Sequence, residues 1–233
     1  MCGRYSLAKS KEDIQKRFVA QIHGDFKAEY NIAPLQKCAV ITNQQPSDVQ
    51  FFKWGLIPSW SIDNTTGMNL INAKAETVFQ KIPFKHIVKN QRCLVLSDGF
   101  FEWKKEGKNK VPYRFNLNTE EPFAMAGLWD SWKNEQTEEI TNSFTIITTD
   151  ANKMVKSVHD RMPVILRKDL ERLWIAGDIS ESQAGSLLKA YESESMYSYA
   201  VHRSVSDARN NTAECIQAAP KFYPGETMSL FDL

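Results

Sequence analysis

The stretch RCLVLSDGFFEWKKEGKNKVPYRFNL, residues 92–117, decides the fold class. It holds two runs rich in aromatic and β-branched residues, 92–105 and 111–117, which predict β-strands. The segment EGKN at 106–109 lies between them and is polar with one glycine, a composition typical of a tight turn. The sequence therefore predicts a β-hairpin at this point.

Strand-like runs also stand on both sides of the hairpin, and they outnumber the helical segments. The runs are CAVIT (38–42), VQFFKWGLI (49–57), FAMAGLWDSW (123–132), SFTIITT (143–149), PVIL (163–166) and YSYAVH (197–202). The helical candidates are SKEDIQKRFVAQI (10–22), RKDLERLWIAG (167–177) and SESQAGSLLKAYES (180–193). Because strands and helices do not alternate, the pattern predicts an α+β fold with a mixed or antiparallel barrel-like β core and peripheral helices.

Length and composition fit one globular domain. The chain has 233 residues, 42% of them hydrophobic, and we predict a single domain over 1–217 followed by a C-terminal tail, 218–233. No apolar stretch approaches the length of a membrane span. The four cysteines have neither zinc-site nor disulfide-framework spacing, which favours a reducing, cytoplasmic location.

The formal net charge of +1 gives no global preference for nucleic acid, but basic residues cluster locally. One cluster lies within QKIPFKHIVKNQR at 80–92, and the other lies within the hairpin segment KKEGKNK at 104–110. Basic residues interleaved with aromatic rings suit single-stranded nucleic acid, where phosphates meet Lys or Arg and bases stack on rings. A solvated charged face explains the lysines almost as well.

Cys2 stands directly behind the initiator methionine. Removal of Met1 would leave an α-amine and a thiol on adjacent carbons, which can condense with an aldehyde to form a thiazolidine ring. The same cysteine could instead be an acyl-transfer nucleophile with its own amine as base. On this residue alone, a chance cysteine at the second codon is the simplest explanation.

Three further segments hold polar residues in apolar surroundings. Asn72 and Lys74 lie in INAKAET (71–77), which could orient a reacting group and hold a phosphate, or could be a solvated turn. Glu102 lies between Phe101 and Trp103; in a pocket its pKa would rise into the range useful for acid–base work, and on an outer face it would be ordinary.

The third segment is SVHDRMPVIL at 157–166. His159 precedes an apolar run that contains a proline, so we expect it at a loop junction, where catalytic groups are common. Asp160 or Arg161 could orient the imidazole or bind an anion. A lone histidine is more often structural, and that alternative stays open.

Seven blocks, in order and spacing, resemble the SOS response-associated peptidase (SRAP) family of abasic-site processing proteins. The blocks are MCGRY (1–5), YNIAP (30–34), WGLIPSW (54–60), INAKAET (71–77), RCLVLSDGFFEWKK (92–105), FAMAGLWD (123–130), and TIITTDAN (145–152) with VHDRMPVIL (158–166). The resemblance implies the SRAP fold and a DNA-repair role, linked to the SOS response, in which the protein crosslinks to abasic sites in single-stranded DNA.

The resemblance also implies roles for single residues. Cys2 would form the thiazolidine, and Asn72 would position its amine. Glu102 would shuttle protons during crosslinking and reversal, and His159 would help to open the sugar. The implied DNA contacts are Arg4, Trp54, Trp60, Lys74 and Arg161. Lys74 stands where the family commonly has arginine, which keeps the charge but loses bidentate phosphate geometry. No metal or organic cofactor is implied.

Two functions of other classes compete with crosslinking. One is a thiol peptidase, a hydrolase in which Cys2 attacks an amide with His159 and Glu102 or Asn72 assisting; cleavage could be limited to release of the N-terminus. For the crosslinking protein itself the resemblance implies an enzyme of peptidase or lyase type. The other is a non-covalent module for single-stranded DNA. The tail TMSLFDL (227–233) resembles a sliding-clamp docking motif without its glutamine, which would place the protein at the nucleoid and its replication forks.

Overall fold

The computed structural model of the protein describes residues 2–220. Over these residues the chain forms thirteen β-strands, four α-helices and six 3-10 turns. The strands are β1 (Tyr5–Leu7), β2 (Gln21–Ile22), β3 (Glu29–Ile32), β4 (Lys37–Thr42), β5 (Asp48–Trp54), β6 (Asn72–Lys74), β7 (Arg92–Ser97), β8 (Gly99–Glu106), β9 (Asn109–Leu117), β10 (Phe123–Lys133), β11 (Ile140–Asp150), β12 (Arg161–Pro163) and β13 (Met196–Ala200). The helices are α1 (Lys11–Phe18), α2 (Phe84–Asn90), α3 (Glu171–Trp174) and α4 (Glu181–Leu187). The 3-10 turns are Thr65–Asn69, Ala75–Thr77, Val155–Ser157, Ser193–Ser195, Arg203–Ser206 and Ala213–Ile216.

The larger sheet closes on itself. Strands β11, β10, β7, β4 and β5 are neighbours in this order, and β5 pairs with β11 in turn. The closing pair is parallel, with Trp54 opposite Phe144, whereas the other four pairs are antiparallel. The result is a closed mixed barrel of five strands with short peripheral helices, which confirms the predicted α+β fold.

The smaller sheet has the order β13-β9-β8-β1-β3 and is antiparallel throughout. Its centre is the hairpin of β8 and β9, whose register runs from Phe100 opposite Phe115 to Glu106 opposite Asn109. Residues 107–108 form the loop, and Gly107 adopts φ 59°, a conformation that favours glycine. The hairpin predicted from EGKN is therefore confirmed.

The two faces of the smaller sheet pack into different apolar clusters. Phe100 and Phe115 belong to the large core around the barrel, whereas Phe101 packs in a second cluster with Val205. Successive side chains of a strand point to opposite faces, so Glu102 lies on the face of Phe100. The strand thereby directs a carboxylate toward the large core.

The first helix is shorter than its periodicity predicts. Ser10 caps α1 by accepting a hydrogen bond from the Asp13 backbone N–H. The helix ends at Phe18, and the next residue, Val19, adopts a left-handed conformation with φ 51°. Ile22 continues the apolar spacing of the helix but lies in β2, paired in parallel with β5, so its helical assignment is wrong. Strand pairing outweighs the local pattern here.

Arg92, the last residue of the basic cluster at 80–92, lies in the protein interior. Arg92 is buried and donates hydrogen bonds to the carbonyl oxygens of Val88, Lys89, Trp174 and Ala176. These carbonyls end α2 and α3, where helices leave acceptors unsatisfied. Arg92 is thus a structural link between two helix ends and not part of a DNA-facing surface.

The domain boundary stays a prediction. Val201 forms an isolated bridge with Ala218, and the Ala219 N–H donates to the carbonyl of Ala200 at 2.8 Å, so the first two residues of the predicted tail still extend the smaller sheet. The clamp-docking prediction for 227–233 lies outside the described residues. None of the helices within 2–220 has the length and apolarity to span a bilayer.

Asp98 connects β1 to β8, and its loss is expected to destabilise the protein strongly. Its carboxylate accepts hydrogen bonds from Ser6 Oγ at 2.6 Å, Arg114 Nη2 at 2.9 Å and the Ala8 N–H at 2.9 Å. Asp98→Ala leaves the buried Arg114 without its counter-charge, which costs about 3–5 kcal/mol of unfolding free energy. Urea unfolding measures the change.

The exposed Asp178 supplies the control, because Asp178→Ala should shift the unfolding free energy by less than about 0.5 kcal/mol. A loss at Asp98 no larger than that of the control would contradict the assigned role. The contact matters for function as well, since β1 carries the N-terminal segment and β8 carries Glu102.

Candidate functional site

Cys2 precedes β1 and is fully buried in the large core. Its thiol donates a weak hydrogen bond to the carbonyl oxygen of Arg4, with Sγ and O 4.0 Å apart. Burial raises the pKa of the Cys2 thiol well above its usual range, and the neighbouring Glu102 raises it further. The sulfur is therefore a neutral thiol that needs a nearby base before it can attack.

Asn72 is held against Cys2 by strand pairing. It begins β6, which runs parallel to β11 with Asn72 opposite Ile146. Its Nδ2 donates a hydrogen bond of 2.8 Å to the Cys2 carbonyl oxygen. Its buried Oδ1 accepts no hydrogen bond from any residue in 2–220. Asn72 thus holds the N-terminal segment through Nδ2, and its Oδ1 can accept a hydrogen bond from a further N–H or O–H group.

Glu102 is a buried carboxyl whose charge acts on the Cys2 thiol. Only 4% of the residue is exposed, and burial raises the pKa of its carboxyl to about 8. The charge of Asp160 adds to the rise. Its Oε1 is buried and has no hydrogen-bond partner within the described part of the chain. A carboxyl that titrates near neutral pH can both donate and accept a proton under working conditions.

His159 follows the 3-10 turn Val155–Ser157 and precedes β12, at the loop junction that the sequence predicts. Its Nδ1 accepts a hydrogen bond of 3.0 Å from the Arg161 N–H and lies 3.1 Å from Asp160 Oδ1. Partial burial lowers the pKa of the imidazole. A lowered pKa keeps the ring neutral near pH 7.

Charge coupling places these groups in one region. Glu102 acts on the Cys2 thiol, and Asp160, next to His159, acts on Glu102. Asn72 contacts Cys2 directly. Four segments distant in sequence therefore supply a thiol, an amide, a carboxyl of raised pKa and an imidazole of lowered pKa.

The sequence model described as SOS response associated peptidase (SRAP) matches residues 1–208. This chain belongs to the SRAP family. It is 38% identical over 224 residues to the abasic site processing protein YoaM of Bacillus subtilis, covering 94% of this chain and 98% of that protein. It is 29% identical over 228 residues to the abasic site processing protein YedK of Escherichia coli, covering 93% and 99%.

A solved structure extends the relation to the fold. A crystal structure of a protein from Bacteroides thetaiotaomicron superposes on this SRAP chain with a TM-score of 0.87 at 30% sequence identity, covering 94% of this chain and all of the other. The abasic site processing protein HMCES of Xenopus tropicalis is 28% identical over 264 residues, covering 94% of this chain and 78% of that protein.

Arg161 of the SRAP chain already has anionic partners. Its Nη1 lies 2.7 Å from Glu76 Oε1 and 2.7 Å from Asp150 Oδ1, and its Nη2 donates to Glu76 Oε2 at 3.0 Å. Nη2 also donates to the Thr148 carbonyl at 2.7 Å. A phosphate contact by Arg161 therefore competes with two carboxylates, and it stays a prediction.

Arg4 is tied to the protein by its side chain. Its Nη1 donates to Asn31 Oδ1 at 2.9 Å and to the Val205 carbonyl at 2.8 Å, and the guanidinium lies over the Trp103 ring. Trp103 points to the face of β8 opposite Glu102. The observed contacts anchor residues 203–206, and the phosphate contact stays a prediction.

Asn31, which contacts Arg4, is not among the candidates identified from the sequence. It is buried, and its Nδ2 donates to the carbonyl oxygens of Val205, Asp207 and Asn210 while its Oδ1 accepts from Arg4. It lies in the quoted block YNIAP, but a single asparagine in a strand carries no local signal of such distant partners.

The structure corrects the expectation for Trp54. Its ring is fully buried between Tyr5 and Phe144, and its Nε1 donates to the Ile71 carbonyl at 2.9 Å, so it offers no face to a base. Trp60 is 64% exposed and Lys74 is exposed, which leaves both available for DNA.

Within residues 2–220 no cluster of His, Cys, Asp and Glu could hold a metal ion.

Proposed function

We propose that this SRAP protein captures abasic sites in single-stranded DNA through a covalent thiazolidine crosslink at Cys2, once Met1 has been removed. The observation that carries the proposal is that Asn72 holds the Cys2 backbone by a hydrogen bond to its carbonyl oxygen, while the buried Cys2 thiol feels the charge of Glu102, whose carboxyl has a pKa of about 8. The relatives named abasic site processing proteins support the substrate.

The ring-opened abasic sugar supplies an aldehyde. The Cys2 amine adds to the aldehyde carbon, and the resulting hydroxyl leaves as water after it takes a proton, giving a protonated Schiff base. The thiol then adds to the same carbon, and its proton passes to a base. One C–N bond and one C–S bond form, and one water molecule is released, so no oxidant or metal is needed for the balance.

Glu102 suits both proton transfers in this sequence. As a neutral acid it donates to the departing hydroxyl, and as a carboxylate it then accepts the thiol proton. Because burial raises the pKa of the Cys2 thiol, the sulfur depends on such a base. In the reverse direction the acid form returns the proton to sulfur as the C–S bond breaks.

Asn72 and His159 have supporting roles in the proposal. Asn72 fixes the Cys2 backbone through Nδ2, and its free Oδ1 suits the N–H of the reacting amine. His159, neutral because of its lowered pKa, accepts a proton from the sugar hydroxyl and returns it to the ring oxygen as the sugar opens. The proposed DNA contacts remain Lys74, Trp60 and the paired residues Arg4 and Arg161.

The test is electrophoresis under denaturing conditions. A single-stranded oligonucleotide with one abasic site is expected to give a band shifted by one protein chain. The matched oligonucleotide, whose abasic sugar is reduced and has no aldehyde, is expected to give none. Mass measurement of the digested band should find the sugar on the peptide that begins at Cys2. Equal bands from both oligonucleotides, or no band from either, would reject the proposal.

The two competing functions separate in the same assay. A non-covalent DNA module would bind both oligonucleotides without a band that survives denaturation, and a thiol peptidase would cleave peptides at a rate that depends on Cys2. The neutral, buried state of the Cys2 thiol argues against an open peptidase site. Docking on the sliding clamp, SOS-linked expression and a cytoplasmic, replication-associated location stay predictions.

A further inference from the structure

The hairpin of β8 and β9 extends outward from the site on the face that carries Glu102. Lys104 lies two residues after Glu102 on β8 and therefore shares its face, while Tyr113 on β9 stands directly opposite Glu102. These three side chains form a continuous row, which we call the Lys104 row. Trp103 and Lys105 point to the other face of the same strand.

The Lys104 row leads from the interior to solvent. Glu102 is 4% exposed, Tyr113 is half-buried, and the Lys104 side chain is 40% exposed. The Lys104 ammonium lies 6.0 Å from the centroid of the Tyr113 ring and 2.9 Å from Glu106 Oε1. An aromatic face and a carboxylate thus hold one cation on the strand face that carries Glu102.

We propose that the Lys104 row binds the phosphate next to the captured sugar in single-stranded DNA, with Lys104 as its cation and Tyr113 as the ring that positions it. The inference rests on the proposed function and extends it to a binding residue outside the reacting groups. Glu106 competes with the phosphate for the same ammonium. Its distance of 2.9 Å from Lys104 makes this carboxylate a built-in restraint on DNA affinity.

Lys105 is the matched control for Lys104. The two lysines are neighbours on one strand and carry the same charge, but Lys105 points to the opposite face and stands across from Lys110. A diffuse attraction between a basic hairpin and DNA would depend on both lysines alike. A specific contact on the face of Glu102 depends on Lys104 alone.

The experiment measures non-covalent binding to a labelled single strand that carries one reduced, aldehyde-free abasic sugar, at several salt concentrations. Loss of one phosphate contact lowers the slope of log K against log salt by about 0.7 for single strands. When the salt is diluted tenfold, the DNA affinity of Lys104→Ala should therefore rise about fivefold less than the affinity of wild type. Lys105→Ala should leave the slope unchanged.

Two further arms locate the contact. Glu106→Gln should tighten binding by about threefold, the size of a surface ion pair, and the gain should vanish in the Lys104→Ala background. An uncharged methylphosphonate is placed in turn at the phosphate 5′ and at the phosphate 3′ of the abasic sugar. At one of these two positions it should erase the affinity difference between wild type and Lys104→Ala. The same substitution several nucleotides away should preserve the difference.

Equal losses at Lys104 and Lys105, or a Glu106→Gln gain that persists without Lys104, would overturn the inference. The assay is independent of the covalent step because its DNA has no aldehyde. If wild type fails to crosslink aldehyde-bearing DNA while the Lys104 pattern holds, the crosslinking proposal alone fails. If crosslinking at saturating DNA is normal and the Lys104 pattern is absent, the inference alone fails.

Discussion

Cys2→Ala is expected to lower the yield of crosslink that survives denaturing electrophoresis by more than about a hundredfold, while binding to aldehyde-free DNA is retained. The variant keeps an α-amine after removal of Met1 but has no thiol to close the ring. The amine alone gives a Schiff base, which water hydrolyses when the protein unfolds. Comparison of band intensity with and without borohydride, which traps a Schiff base, measures both species in one experiment.

The complementary change keeps the thiol and blocks the amine. A chain that retains Met1 holds the Cys2 nitrogen in an amide, so neither the ring nor the trapped Schiff base should form at that nitrogen. Cys215→Ala is the matched control, because Cys215 is also fully buried but lies in the second cluster. Equal crosslinking by wild type and Cys2→Ala, or by the chain that retains Met1, would contradict the thiazolidine.

The hairpin and the sheet-rich fold were accessible from sequence because their signals are local. The turn at 106–109 lies between two strands that pair with each other, and strand alternation then places Glu102 without knowledge of distant contacts. The barrel closure was not accessible in the same way. It depends on the parallel pairing of β5 with β11, two strands far apart in sequence.

The proposed site likewise has features with a local sequence signal and features that depend on pairing between distant strands. The individual residues Cys2, Asn72, Glu102 and His159 could be selected from sequence, since each is a polar or nucleophilic group in an unusual setting or a resembling block. The contact between Asn72 and Cys2 could not be selected, because the parallel pairing of β6 with β11 creates it.

Errors arose where burial decides the role of an amphipathic side chain. Trp54 and Trp60 lie in one short block, yet the barrel closure buries the first while the second remains 64% exposed. Arg92 shares its sequence neighbourhood with surface lysines but is buried against helix ends. Periodicity and charge give no direct measure of which member of such a set enters the core.

Glu102→Gln is expected to slow exchange of a preformed crosslink to a second DNA strand by about 10²–10⁴-fold, the usual contribution of a positioned acid or base. Reversal needs a proton on sulfur, and the glutamine amide cannot supply it. For wild type the exchange rate should fall as pH rises through about 8, where the Glu102 carboxyl loses its proton. The variant should be slow and independent of pH over this range.

The same substitution is expected to stabilise the fold. The pKa of Glu102 is raised from 4.5 in the unfolded chain to about 8 in the folded protein. The contribution of Glu102 to the free energy of unfolding is therefore fully present below pH 4.5 and is lost as pH rises to 8, because the unfolded chain ionises first. Glutamine does not titrate. Urea unfolding at pH 5 and pH 8 should therefore show a gain in unfolding free energy for Glu102→Gln that grows with pH, on the order of 4 kcal/mol at pH 8.

Opposite signs in the two measurements separate a catalytic role from a structural one. A residue that only supports the fold loses stability and activity together, whereas a buried acid kept for proton transfer lowers stability while it raises the rate. Glu139→Gln, at an exposed position on the turn between β10 and β11, should change neither quantity. Exchange at the wild-type rate would show that the carboxyl of Glu102 is not the proton carrier, and the thiol of Cys2 would then need another base. Loss of stability in Glu102→Gln at pH 8 would contradict the raised pKa of Glu102.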